Sequence, residues 1–321
     1  MEENIYLKSK IHKESSRFFY IDNLRIICAF FVIILHIGNK YYIEMEVNSF
    51  KWKIAYYYIG ISRFSVPNFF MISGALFLGK KLSFEIIIKK YIKRIFVHLY
   101  LWSTIYSIFG LKSSKIEMKQ ICLKIIKGHF HLWYLFATCG LYILVPFTEE
   151  IIKNKILLNY FIFFNLIFAF VIPNYIVLIS YNSKIISDLL IEVSSMINLN
   201  TLTIYNFYFI FGYYLNTKNE IKNDLSIIIY LAGLIGLCFT TIISYKISFV
   251  KGIKLNYYKP NFLNIFFFSI SIFTFFKNHF FTPRIKFIKI IIKKLAKFTF
   301  GIYLIHPLIT ENIIAKLILS L

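Results

Sequence analysis

Charge is scarce in this chain, and negative charge is scarcer still. Asp and Glu number 15 against 37 Lys and Arg, and charged residues make up 16% of the 321 residues. A soluble domain covers itself with more charge than this, so an ordinary soluble fold is excluded. Hydrophobic residues reach 58% and mean hydropathy is +0.66. Many apolar runs approach the length of about 20 residues that a helix needs to cross a bilayer. Cysteine is sparse as well. Cys28, Cys122, Cys139 and Cys238 form no CxxC pair, and three of them lie within apolar spans, so neither a disulfide framework nor a zinc site is implied. No linker rich in Gly, Ser or Pro separates domains. The polar start, MEENIYLKSKIHKESSR, lacks a short apolar region with a small-residue cleavage site, so no removable signal peptide is expected.

What is present is a positive excess, a formal net charge of +22. In a soluble protein that excess would suggest nucleic acid. Here Lys and Arg fall in short loops between apolar runs, so topology accounts for them and no nucleic-acid partner is expected. Nine apolar spans can be marked, roughly 19–38, 60–78, 95–111, 131–148, 157–179, 202–215, 225–244, 261–276 and 298–319. They are read as helices, because a lipid-exposed strand cannot satisfy its backbone. The expected fold is an all-α polytopic transmembrane bundle of nine or ten spans, a single membrane-embedded domain over 1–321. A cytoplasmic N-terminus puts the larger share of Lys and Arg inside, including a loop at Arg284–Lys297. The third loop argues the other way with Lys112, Lys115, Lys119, Lys124 and Lys127. Its apolar Ile116, Ile121, Leu123, Ile125 and Ile126 suit an amphipathic segment on the outer membrane face.

Any chemistry must then be built from helices and short loops. The first span carries Asp22, Arg25 and His36. Eleven residues are close to three full turns, so Arg25 and His36 share a helix face about 16 Å apart along the axis. Asp22, three residues before Arg25, joins them. Charged groups at membrane depth usually mark a pathway or a substrate site. The alternative is a helix end where Arg25 snorkels and His36 reaches the far headgroups. The second span holds Pro67 with Ser62, Arg63, Ser65, Asn68 and Ser73, a pattern that suits either a broken helix lining a cavity or close packing at Ser73, Gly74 and Ala75. Lys89, Lys90, Lys93 and Arg94 form a cationic cluster able to hold phosphates or to fix topology. The fourth span opens on His129 and His131. This HxH has no carboxylate or Cys nearby in sequence, and Trp133 and Tyr134 suit an interfacial aromatic belt. In the last span His306 and Pro307 lie mid-membrane, where a polar ring needs a partner.

These landmarks resemble the acyltransferase-3 family of integral membrane enzymes at six places, in matching order. They are Arg25 followed by ten residues and then His36, VPNFFMISG (66–74), the cations around Arg94, HLWYL (131–135), GYYL (212–215) and GIYLIH (301–306). The resemblance implies O-acylation of a hydroxyl on a surface glycan or its lipid-linked precursor. The donor would be acetyl-CoA or another acyl-CoA, with no metal, in the bacterial cytoplasmic (inner) membrane. His36 would be general base or transient acyl carrier, Arg25 would bind phosphate or developing negative charge, and Asp22 would orient it. Lys90, Lys93 and Arg94 would hold coenzyme A. Ser73, His131, Tyr134, Tyr303 and His306 would meet the acceptor. Two departures stand out. Tyr91 occupies the place of a first arginine and His98 that of a common proline. Members commonly have ten spans, so the chain is expected to be short at its C-terminus, through natural shortening, truncation or an uncounted span. A transporter or flippase for a lipid-linked glycan is the rival reading, and an inactive relic a third.

Overall fold

The span that carries Arg25 is the middle of one uninterrupted helix of 43 residues, α1, Glu2–Glu44. The other labelled helices of this computed structural model are α2 (Phe50–Ser62), α3 (Ser65–Phe77), α4 (Lys93–Phe109), α5 (Met118–Lys127), α6 (Trp133–Ile143), α7 (Val145–Lys153), α8 (Lys155–Asn165), α9 (Ile172–Ser180), α10 (Thr203–Thr217), α11 (Asn223–Cys238), α12 (Ser244–Lys251), α13 (Leu263–His279) and α14 (Lys286–Ile309). The structure describes residues 2–47, 49–109, 118–180, 185–186, 188–189, 192, 203–218, 221, 223–251, 259–280 and 283–310, and no strand occurs among them. Lys112, Lys115 and Ile116 of the third loop, and the end of the ninth apolar span, lie outside these residues.

Among the described residues, three helical stretches are long and apolar enough to cross a membrane: Phe19–Asn39, Lys155–Ile176 and Asn223–Ile242. Met118–Ile143 and Val145–Lys153, bent by 57°, make a fourth if the pair is one span. The protein is thus an all-helical membrane protein. Some apolar runs are divided. The run 60–78 breaks at Arg63 and Phe64 into α2 and α3, and Pro67 sits in the first turn of α3, where its missing N–H costs nothing. A wide helical turn occurs inside two runs, at Leu166–Val171 and Phe239–Ile243, and a third precedes the run 95–111, at Ile87–Ile92. Such turns insert a residue and shift the side chains beyond them to a new azimuth. The stretch from Lys286 to Lys297, expected to lie in a loop, is helical and forms the start of α14. Its Lys residues recur at helical spacing among Ile and Leu, and that period outweighs their polarity.

The chain divides into two compact units. The first comprises residues 1–76 and 159–300, the second 77–158 and 301–321. In the first unit α3 and α10 meet at backbone contact. A Cβ added to Gly74 would stand 1.7 Å from the Phe209 carbonyl oxygen, and one on Gly212 would stand 2.1 Å from that of Met71. Small residues permit this approach, which supplies much of the packing energy between membrane helices. Polar ties reinforce it. The Tyr20 hydroxyl donates to Asn216 Oδ1 at 2.8 Å, and Asn216 Nδ2 donates to the Ala75 carbonyl at 3.0 Å. Lys277 Nζ donates to the carbonyls of Leu215 and Lys218 at the C-terminal end of α10, where a cation complements the helix dipole. The C-terminal end of α1 packs on α2 through Leu35, Tyr42, Trp52, Tyr56 and Ile59. In the second unit Phe77 stacks on Tyr142 at 4.2 Å, with Tyr91 edge-on to Phe77 at 4.7 Å. The buried Glu149 accepts the Gly79 N–H at 2.8 Å.

Candidate functional site

In the second unit, α5 stops at Gly128, whose φ of +73° is open to glycine at little cost. Gly128 N donates to the Lys124 carbonyl at 2.9 Å, and the chain leaves the helix into His129. A single tight turn over Phe130–Leu132, closed by Leu132 N donating to the His129 carbonyl at 2.8 Å, then starts α6. This turn brings the two rings of HxH together. His129 Nδ1 and His131 Nδ1 are 2.8 Å apart, so one Nδ1 carries the proton and the other accepts it. Two coordinated imidazoles would instead aim lone pairs at a metal. Among the described residues, no group of three His, Cys, Asp or Glu is arranged to hold one.

Two distant segments complete the cluster. From α4, Tyr106 stacks on His129 at 4.1 Å and 15°, and its hydroxyl donates to the Leu304 carbonyl at 2.7 Å. From α14, Tyr303 donates its hydroxyl to the His131 carbonyl. Its ring lies 5.4 Å from His131 and 5.7 Å from Tyr134. His306 is 5.3 Å from His131, ring to ring, and both are buried. Pro307 explains the setting of His306. Having no N–H, it cannot donate to the carbonyl of Tyr303, four residues earlier. His306 Nδ1 takes that place at 2.7 Å. A carbonyl only accepts, so Nδ1 bears a proton. The fully buried Ser103 hydroxyl lies near the backbone of Gly128.

Four expected acceptor residues, His131, Tyr134, Tyr303 and His306, are therefore gathered in one unit. Ser73, the fifth, is in the first unit, half-buried beside the Gly74 packing point. Also in the first unit, Asp22 Oδ1 pairs with Arg25 Nη1 at 3.7 Å, both partly exposed, and Lys293 of α14 acts electrostatically on Asp22. Because α1 is unbroken, Arg25 and His36 keep their three-turn separation of about 16 Å. His36 is half-buried. Three residues beyond it, Asn39 Oδ1 accepts from Arg63 Nη2 at 3.3 Å.

Lys90, Lys93 and Arg94 belong to the second unit and are exposed. Lys90 lies in the wide turn, which closes through Lys93 N donating to the Ile88 carbonyl, and its Nζ is 5.8 Å from the centre of the Tyr91 ring. Tyr91 fills an aromatic slot against Phe77 and Tyr142, which gives a packing reason for an aromatic ring at this place. His98 Nδ1 donates to the Arg94 carbonyl at 2.7 Å. Sequence patterning did not single out Tyr106, which carries no periodic or charge signal. It also missed Lys293 as a neighbour of Asp22, because that Lys reads as part of a loop.

A family model described as an acyltransferase domain matches residues 18–320. No curated protein and no solved structure matches the chain.

Proposed function

Because the chain belongs to the acyltransferase-3 family, and is on that ground an O-acyltransferase, we propose that it moves an acyl group, acetyl in the first instance, from acyl-CoA to a hydroxyl of a bacterial cell-surface glycan or its lipid-linked precursor. The observation that carries this reading is the gathering of His129, His131, Tyr303 and His306 from separate stretches of sequence in one unit. A glycan hydroxyl needs hydrogen-bond partners of fixed orientation; backbone carbonyls hold Tyr303 and His306, and the rings of His129 and His131 hold each other. His306 and Tyr134 of the same unit supply further polar groups for such a hydroxyl.

In the reaction the acceptor oxygen forms a bond to the thioester carbonyl carbon. Its proton passes to His36, the carbon–sulfur bond breaks, and coenzyme A leaves as thiol. If His36 first carries the acyl group, its ring nitrogen bonds to the carbonyl carbon as the carbon–sulfur bond breaks, and the acceptor oxygen then bonds to that carbon as the carbon–nitrogen bond breaks. Arg25, three turns from His36 and paired with Asp22 at 3.7 Å, binds a phosphate of the donor. Lys90, Lys93 and Arg94 hold the donor's phosphates. The enzyme sits in the cytoplasmic membrane with its N-terminus inside, and cysteine labelling at position 289 in intact cells tests that orientation. Purified protein in liposomes, given acetyl-CoA and a glycan acceptor, should release coenzyme A. An exporter would move the glycan and release none.

A further inference from the structure

Lys286, Lys289, Lys293 and Lys297 recur in α14 at spacings of three, four and four residues, so they form one row on the helix. The row covers about 16 Å of helix length. Three of the four are exposed and Lys289 is half-buried. No acidic residue occurs in α14. Neighbouring like charges on one row destabilise a helix, and this row starts at the N-terminus, where the macrodipole disfavours cations. Keeping a segment inside the cell needs cations near the span at any azimuth. It does not need them stacked in a row, which is the arrangement the helix tolerates least. The row also leads to a second cation. Lys293 acts on Asp22, and Asp22 pairs with Arg25 at 3.7 Å. Among the described residues, only one carboxylate, Asp22, stands within electrostatic reach of both Lys293 and Arg25, so net positive charge remains around the partly buried Arg25.

We infer that Lys286, Lys289, Lys293 and Lys297, continued by Arg25, form a phosphate-binding track in the first unit. Its ligand carries several phosphates spaced along its length. Coenzyme A presents that chemistry, and so does a row of anionic lipid headgroups. Only the first source rests on the acyl-CoA reading above.

Protein in nanodiscs of neutral phosphatidylcholine separates the sources. Binding of labelled coenzyme A and of dephospho-coenzyme A, and retention of phosphatidylglycerol, are measured for wild type, Lys293→Gln, Lys293→Arg and Lys294→Gln. Lys294 lies off the row, on the same helix and with the same charge. If the track holds coenzyme A, Lys293→Gln weakens its binding about tenfold, the scale of one lost charge-assisted hydrogen bond. Lys293→Arg restores binding, Lys294→Gln changes little, and dephospho-coenzyme A responds less. If the track holds lipid, Lys293→Gln loses phosphatidylglycerol while coenzyme A binding is unchanged. Equal losses at Lys293 and Lys294, or none at either, overturn the track. A wild-type protein that binds no coenzyme A removes the donor reading alone, and the lipid measurement still decides the track.

Discussion

His306 donates its Nδ1 proton across 2.7 Å to the Tyr303 carbonyl, a backbone acceptor that Pro307 leaves without its helical donor. The dipeptide His306–Pro307 thus combines a vacated carbonyl with the ring that fills it, inside a cluster built from three separate stretches of sequence. Pro307→Ala would return an N–H that competes with His306 for that carbonyl. Proline costs a helix interior about 3 kcal/mol relative to alanine, so the variant should be more stable, by about 1–3 kcal/mol. It should also be slower, with a raised KM for the acceptor. Thermal unfolding in detergent and coenzyme A release measure the two. A variant that gains stability and keeps wild-type kinetics would remove the His306–Tyr303 contact from the mechanism.

His36 is tested by variants that keep its hydrogen bonding. His36→Gln cannot accept the proton and should lose about 10²–10⁴-fold in turnover, the usual scale for a general base, while acyl-CoA binding persists. Arg25→Lys should fail as well, since a point charge does not reproduce the planar guanidinium's donors. Near-normal glycan acylation by His36→Gln would return His36 to an interfacial role.

Arg94→Ala should weaken acyl-CoA binding without affecting membrane insertion. Arg94 is exposed, so the loss should shrink as salt shortens the screening length from about 8–10 Å. Titrations at two ionic strengths check this. Binding indifferent to Arg94 at low salt would place the donor phosphates elsewhere, with the α14 lysine row as the alternative.

Gly74→Ala should be among the more harmful small substitutions. Its Cβ would fall 1.7 Å from a backbone oxygen of α10, so α3 and α10 must part, at a cost of about 1–3 kcal/mol or more. Gly140→Ala is the control. Nothing lies within 4 Å of its Cβ, and alanine in a helix interior should add about 0.5–1 kcal/mol. Melting temperatures in one detergent compare the two. Equal responses would contradict the close packing of these helices.

The legible and illegible parts of this protein divide along physical lines. The helical class follows from composition, because apolar runs in a bilayer have few alternatives to helix. The Asp22–Arg25 contact was legible because it is local, three residues apart on one helix. The meeting of His131 with Tyr303 was not, since 172 residues separate them and no periodicity reports a tertiary contact. The landmark sequences named both residues without showing that they touch. Lys286–Lys297 reads as a loop in sequence because hydropathy averages the five Lys residues with the Ile and Leu between them. Gly74 and Gly212 each resembled a landmark, and the structure makes them reciprocal packing points between α3 and α10.

Mass spectrometry of surface glycans tests acyl transfer most directly. Cells carrying the wild-type gene, a deletion or His36→Gln are fed isotopically labelled acetate, and their glycans are compared. The account predicts labelled O-acetyl groups on glycans of the wild type, absent from the deletion and from His36→Gln. Glycans identical in all three strains, or a deletion that loses glycan from the surface while keeping its acyl groups, would contradict it.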